Sequence, residues 1–125
     1  KTKMEVAMGI EFYSSVAGIN AFFRKMDVTA NNVANINTNN YKRRVAHISQ
    51  DKNGLPETKI TIDKTPGVEN PRKPGEPEGP PREMSNVNYA DEVVNMIEAK
   101  TGVKANVRAL QFARETFDSL LDIFV

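Results

Sequence analysis

Apolar residues recur at Phe12, Val16, Ile19, Phe23, Met26, Ala30 and Val33, with steps that alternate between four and three. A mean step of about 3.5 puts them on one stripe of a helix, the spacing of a coiled-coil seam. The pattern predicts a helix over Val6–Ile36, roughly 45 Å long at 1.5 Å per residue. A second series, Met96, Ala99, Val103, Asn106, Leu110, Ala113, Phe117, Leu120 and Phe124, repeats the same steps and predicts a helix over Tyr89–Phe124. Tyr89-Ala90-Asp91-Glu92 suits its start, because acids in a first turn complement the helix dipole. Asn106 is the polar member of the second seam, and a polar seam residue fixes register at some cost in stability. Gly9, Gly18 and Gly102 each weaken their helix by about 1 kcal/mol relative to Ala, so both helices depend on packing partners.

Between the helices the period changes. Arg44-Val45-Ala46-His47-Ile48 and Thr58-Lys59-Ile60-Thr61-Ile62 alternate polar with apolar, as half-buried strands do. Asp51-Lys52-Asn53-Gly54 supplies a turn, and together they predict a β-hairpin. All seven prolines fall between Pro56 and Pro81. Lys64–Glu83 is rich in Pro, Gly and charge, and is expected to be an extended linker without regular structure. The predicted fold is mainly α: long N- and C-terminal helices pack as a coiled-coil-like core, joined by a β-hairpin and a Pro-rich linker. Residues 1–40 and 85–125 form the helical core domain, with 41–84 as an insertion. The seams can serve an intramolecular helical hairpin or contacts between copies, and the spacing leaves both open.

Composition narrows the function. The 125 residues carry 17 basic and 16 acidic side chains, a net charge of +1, and no cysteine. Near-neutral charge argues against a dedicated nucleic-acid or membrane-surface protein. Without cysteine there is no disulfide scaffold and no thiolate zinc site. Apolar residues make up 39% of the chain, enough for only a modest core, and small domains with thin cores often need partners. No run of about 18 apolar residues suggests a membrane span, and the N-terminal stretch lacks the apolar core of a cleavable signal peptide.

Candidate chemistry is sparse. His47 lies in the first strand pattern with no nucleophile or carboxylate marked beside it. Lys73-Pro74-Gly75-Glu76-Pro77 is a turn-rich segment rather than a phosphate cradle. The chain is not expected to be an enzyme or to hold a cofactor or metal. Lys42-Arg43-Arg44 is the basic cluster, and a small nucleic-acid-binding helical protein is the alternative it supports. The most unusual stretch runs from Ala30 to Tyr41, with amides at Asn31, Asn32, Asn35, Asn37, Asn39 and Asn40. Amides inside a helical pattern are expected to bridge groups of neighbouring helices and fix where subunits dock.

This stretch resembles the N-terminal signature of bacterial flagellar rod and hook proteins: Ala30-Asn31-Asn32-Val33-Ala34-Asn35, then Asn37-Thr38 and Tyr41-Lys42-Arg43, preceded by Gly18-Ile19-Asn20-Ala21 and Met26-Asp27-Val28. Asn86-Val87-Asn88, Glu92-Val93-Val94-Asn95-Met96-Ile97-Glu98-Ala99 and Ala105-Asn106-Val107 resemble the C-terminal signature of proximal-rod members of FlgC type. Asn40 stands where the family usually has Gly, as the next-best residue for a left-handed turn. The resemblance implies a structural subunit of the proximal rod, the hollow helical drive shaft that carries torque from the membrane motor to the hook, with another rod or hook-type axial paralogue as the alternative. Implied partners are copies of the chain, other rod proteins, membrane-ring components at the rod base and the type III export apparatus, with no nucleic acid and no direct membrane insertion. The implied location is the periplasm-spanning rod of the basal body, reached without a cleaved signal peptide. Its assembly interface is expected to use Phe12, Val16, Ile19, Phe23, Met26, Asn31, Asn32, Val33, Asn35, Thr38, Tyr41, Asn86, Val87, Asn88, Met96, Val103, Asn106, Leu110, Phe117 and Leu120.

Overall fold

Helix α1 runs over Lys3–Ala34 and helix α2 over Tyr89–Phe124, with strands β1 (Arg44–Gln50) and β2 (Pro56–Ile62) between them, in a computed structural model that describes residues 3–125. Helix α1 both starts and stops a little before the seam predicts. Its last turn tightens, with the Asn35 N–H bonding to the carbonyls of Asn31 at 3.2 Å and Asn32 at 3.1 Å. Asn40 then takes φ 60°, the left-handed conformation expected where the resembling family has Gly. Helix α2 begins where predicted. Asn88 is its N-cap, with extended backbone, and its side chain accepts the Ala90 N–H at 2.9 Å.

The strands form an antiparallel hairpin in register from Arg44 opposite Ile62 to Gln50 opposite Pro56. The Asp51 carboxylate closes the turn by accepting the N–H groups of Asn53 at 2.7 Å and Leu55 at 2.9 Å. Helix α1 packs against α2 along one side and against both strands on another. The α1–α2 contacts are antiparallel: Lys25 meets Glu98, Gly18 meets Asn106, and Met4 and Met8 meet Phe117 and Phe124.

The helices approach closely because glycine faces a larger side chain in both directions. A Cβ on Gly18 would lie 2.4 Å from Asn106 Oδ1, and one on Gly102 would lie 2.4 Å from the Phe22 ring. These glycines, which weaken each helix locally, create the notches that let the pair interlock. The fully buried apolar residues among those described are small: Ala21, Val28, Ala99 and Ala113. The core is as thin as the composition suggests, and much of the large apolar surface stays outside it.

Lys64–Glu83 has no helix or named strand, as expected of a linker without regular structure, yet it is tied together by its own hydrogen bonds. It folds back on itself: the Asn70 N–H bonds to the Arg82 carbonyl at 2.9 Å, the Met84 N–H to the Val68 carbonyl at 2.6 Å, and Glu69 bridges Glu83. The prolines remove N–H donors and so prevent a full ladder, but the non-proline residues at its base still pair. One expectation is corrected on α1, where one 18-residue window reaches a mean hydropathy of 1.2, long and apolar enough by composition to cross a membrane. Strongly apolar residues such as Val6, Ile10, Val16 and Ile19 raise the average, while Glu11, Ser14, Ser15 and Asn20 break the run.

Candidate assembly surface

The two signature stretches meet in a polar clasp where α1 ends and α2 begins. Asn32 is 1% exposed. Its Nδ2 donates to the Arg44 carbonyl at 2.7 Å, while its Oδ1 accepts the Arg44 N–H at 3.0 Å and the Tyr41 hydroxyl at 3.1 Å. The amide thus stands in for a neighbouring strand and pins the start of β1 to α1. Asn86 does the equivalent work from the other signature. Its Oδ1 accepts the Arg43 N–H at 2.6 Å, and its Nδ2 donates to the carbonyls of Asp63 and Thr65, each at 2.9 Å. One side chain thereby ties the segment before β1, the segment after β2 and the approach to α2.

Charged groups surround these amides. Arg43 Nε donates to Glu92 Oε1 at 2.8 Å, and Glu92 is 1% exposed. Removing either partner would strand a buried charge. Lys42 Nζ lies 2.8 Å from Glu83 Oε2, and that hydrogen bond, followed by one from the Gly67 N–H, holds the Glu83 carboxyl below the ordinary carboxylate range. Hydrogen bonds from Thr65 lower Asp63 in the same way. Lys42 and Arg43 therefore spend their charge on carboxylates of this chain, which leaves Arg44 as the exposed member of the basic cluster. His47 lies on the hairpin, 3.2 Å from Thr61 Oγ1.

The remaining amides also stay within the chain. Asn31 and Asn35 donate back along the helix to Asp27 and Asn31, at 2.9 and 2.8 Å. Thr38 Oγ1 donates to Asn35 Oδ1 at 3.1 Å. The expectation that Asn32 reaches a neighbouring subunit gives way here, because the side chain is buried and its carbonyl accepts two internal donors. Asn31 and Thr38 are exposed, Asn35 is half-buried, and Asn88 is spent on its cap.

The apolar seams divide. On α2, Met96, Val103, Asn106 and Leu110 are half-buried toward α1, as is Leu120, while Phe117 is 37% exposed. Asn106 Nδ2 donates to the Gly102 carbonyl at 2.8 Å, so its amide is satisfied within α2 while Oδ1 sits over Gly18. On α1 the buried positions are Gly18, Ala21, Lys25, Val28, Thr29 and Asn32. Phe12, Ile19, Met26 and Val33 are only half-buried, and Val16 and Phe23 are exposed. The reason is that α1 is gripped on two sides, by α2 and by β2, where Thr58 Oγ1 donates to the Ala21 carbonyl at 2.9 Å. The contact face is therefore displaced from the apolar stripe. Tyr41 and Val87 are half-buried at the clasp.

What results is a helical pair with a locked polar end and an apolar exterior. Ile10, Tyr13, Val94, Ile97, Phe112, Ile123 and Phe124 are each at least 60% exposed. An exposed apolar surface on this scale marks a contact surface. Sequence reasoning missed buried Lys25, which pairs with the exposed Glu98 at 2.9 Å, and the buried Glu92, since charged residues at seam-adjacent positions read as solvated.

Comparison with known families places both signatures. Residues 12–42 match the family model described as flagella basal body rod protein, and residues 83–123 match that described as flagellar basal body rod FlgEFG protein C-terminal. The two matches together cover more than half of the chain and end on either side of the clasp. Compared with curated proteins one by one, the chain has no significant match.

Proposed function

Because this chain belongs to the flagellar basal-body rod protein family, we propose that it is a subunit of the proximal rod, of FlgC type, and that it transmits torque through a helical core. The observation that carries this reading is the union of the two termini: one antiparallel helical pair, fastened by Asn32 and Asn86, with its large apolar residues left outside. Such a unit is complete as a building block and incomplete as a surface. Residues 1–40 and 85–125 act as the core domain, and 41–84 as an insertion carried on the clasp. Copies join head to tail through contacts that do not close, which generates an open helical assembly. Phe12, Val16, Ile19, Phe23, Met26 and Phe117 contribute to the contacts between subunits, along with the outer face of α2. Torque passes through many such seams in parallel, and the clasp keeps each subunit from shearing between its helices and hairpin. Membrane-ring components at the rod base, other rod proteins and the type III export apparatus are its partners.

The test is genetic and structural. Basal bodies are isolated from cells producing Phe117→Ala or Phe23→Ala and inspected for rods by electron microscopy. Each truncation removes an exposed aromatic at a contact repeated in every subunit, so rods are expected to be missing or broken while the protein is still made and exported. Intact rods in both variants would remove the seams from the assembly surface.

A further inference from the structure

The charges on helix α2 are sorted by sign. Lys100, Lys104 and Arg108 follow one another at steps of four, and Glu115, Asp118 and Asp122 at steps of three and four. At 3.6 residues per turn these six share one face, whereas Arg114 lies about 100° away from Glu115 around the helix. All six are exposed. Among the described residues, the three cations make no ion pair, and neither do Glu115 and Asp122. Asp118 has a long one, to Arg114 at 3.9 Å, with both side chains exposed. The arrangement is unfavourable for a lone helix. Like charges four apart repel, and acids near the C-terminus oppose the helix dipole, with no basic residue in the last turn. Nothing within the chain offsets this, so the compensation has to come from outside it.

The face is open. The hairpin packs on α1, and α2 turns Met96, Val103 and Leu110 toward α1 from its other side. Between the basic and the acidic block lie Val107, Gln111 and Phe112, all exposed, with Phe112 at 71%. From its N-terminal to its C-terminal end the face therefore runs basic, apolar, acidic. A face in that order is complementary to a second copy of itself turned end over end, whereas a parallel copy in register would set cation against cation and acid against acid.

We propose that two copies of the free chain pair through this face, antiparallel, about a two-fold axis at Gln111 and Phe112. With Gln111 opposite its own copy, Lys104 faces Asp118, Lys100 faces Asp122, and Arg108 comes within one residue of Glu115. The two-fold repeats every pair, and the two Phe112 rings cover each other beside the axis. The paired stretch spans roughly 33 Å at 1.5 Å per residue and stops short of the clasp in both copies. Such a contact closes on itself, unlike the head-to-tail contacts of an open assembly. The pairing does not depend on the rod reading. Where that reading holds, the pair is the unassembled form, in which the outer face of α2 is covered until neighbours in the rod replace the second copy.

The purified full chain is tested by sedimentation equilibrium at micromolar concentration. A dimer is expected, weaker in about 1 M than in about 0.1 M salt, as the Debye length falls from about 10 to about 3 Å. Lys104→Glu and Asp118→Lys are each expected to raise the dimer Kd about tenfold or more, because each brings like charges together twice. Lys104→Glu also places an acid between Lys100 and Arg108, which favours the helix itself, so its loss of pairing is not a loss of folding. The two reversals in one chain are expected to restore the dimer, with helix content by circular dichroism unchanged throughout. The chain has no cysteine, so Gln111→Cys introduces a unique thiol, and its oxidation is expected to give a covalent dimer and nothing larger. A chain that stays monomeric at low salt, a dimer indifferent to both reversals, reversals that do not rescue each other, or Gln111→Cys that does not cross-link overturns the proposal. Copurification with basal bodies is scored separately: a chain present in basal bodies that forms no dimer refutes this pairing alone, whereas absence from basal bodies refutes the rod reading alone.

Discussion

Asn32 and Asn31 are adjacent amides in one helix with opposite circumstances. Asn32 is buried and bonds to both backbone groups of Arg44 and to Tyr41, whereas Asn31 is exposed and bonds only to its own helix. Replacing Asn32 with Ala leaves the Arg44 N–H and carbonyl without their partner, and each such buried loss costs about 1–3 kcal/mol. Asn31→Ala gives up one exposed bond and gains helix propensity, so it is close to neutral. Urea unfolding of the two variants at matched concentration is expected to separate them by about 2–4 kcal/mol. Equal midpoints would show that the clasp does not depend on Asn32. The sequence made these amides conspicuous, because so many lie inside a helical pattern. It did not reveal where they point. The partner of Asn32 is a backbone group 12 residues on, brought back by the left-handed turn at Asn40, and no side-chain pattern marks a backbone partner.

At the scale of elements, periodicity located both helices and both strands, although β2 buries Thr58 and leaves Ile60 and Ile62 exposed. It placed the α1 contact face less well. A stripe of large apolar residues signals burial only when the core takes the large residues, and here the pair meets through small ones and leaves Val16 and Phe23 outside. The glycines carry the missing information. Gly18 looks like a weakness, yet Gly18→Ala is expected to destabilise the pair despite a propensity gain of about 1 kcal/mol, because the new Cβ meets Asn106 Oδ1. Gly9→Ala faces open space and is expected to stabilise by up to that amount. In a double-mutant cycle, Asn106→Gly is expected to relieve Gly18→Ala, with a coupling energy of about 1 kcal/mol or more for residues in direct contact. Strict additivity would show that the helices do not meet at this notch. The proline segment was legible in composition but not in shape, since its order comes from Arg72 and Arg82 reaching carbonyls across the loop.

At the scale of the whole molecule, a thin internal core and a broad apolar exterior belong together. A helical pair that buries Ala21, Val28, Ala99 and Ala113 while leaving Phe112 and Phe124 outside keeps much of its apolar area for contacts beyond itself, and covering that area is stabilising. The clasp ties the helices to the hairpin, and its two anchoring amides, Asn32 and Asn86, lie in the two segments that match rod family models. The measurement that tests this most directly is a cryo-electron-microscopy reconstruction of the rod in basal bodies purified from the bacterium that encodes the chain. The account predicts rod density into which the α1–α2 pair fits, with Gly18 against Asn106, the hairpin alongside α1, and Phe23 and Phe117 covered by adjacent subunits. A complete rod whose density excludes this helical pair would contradict it.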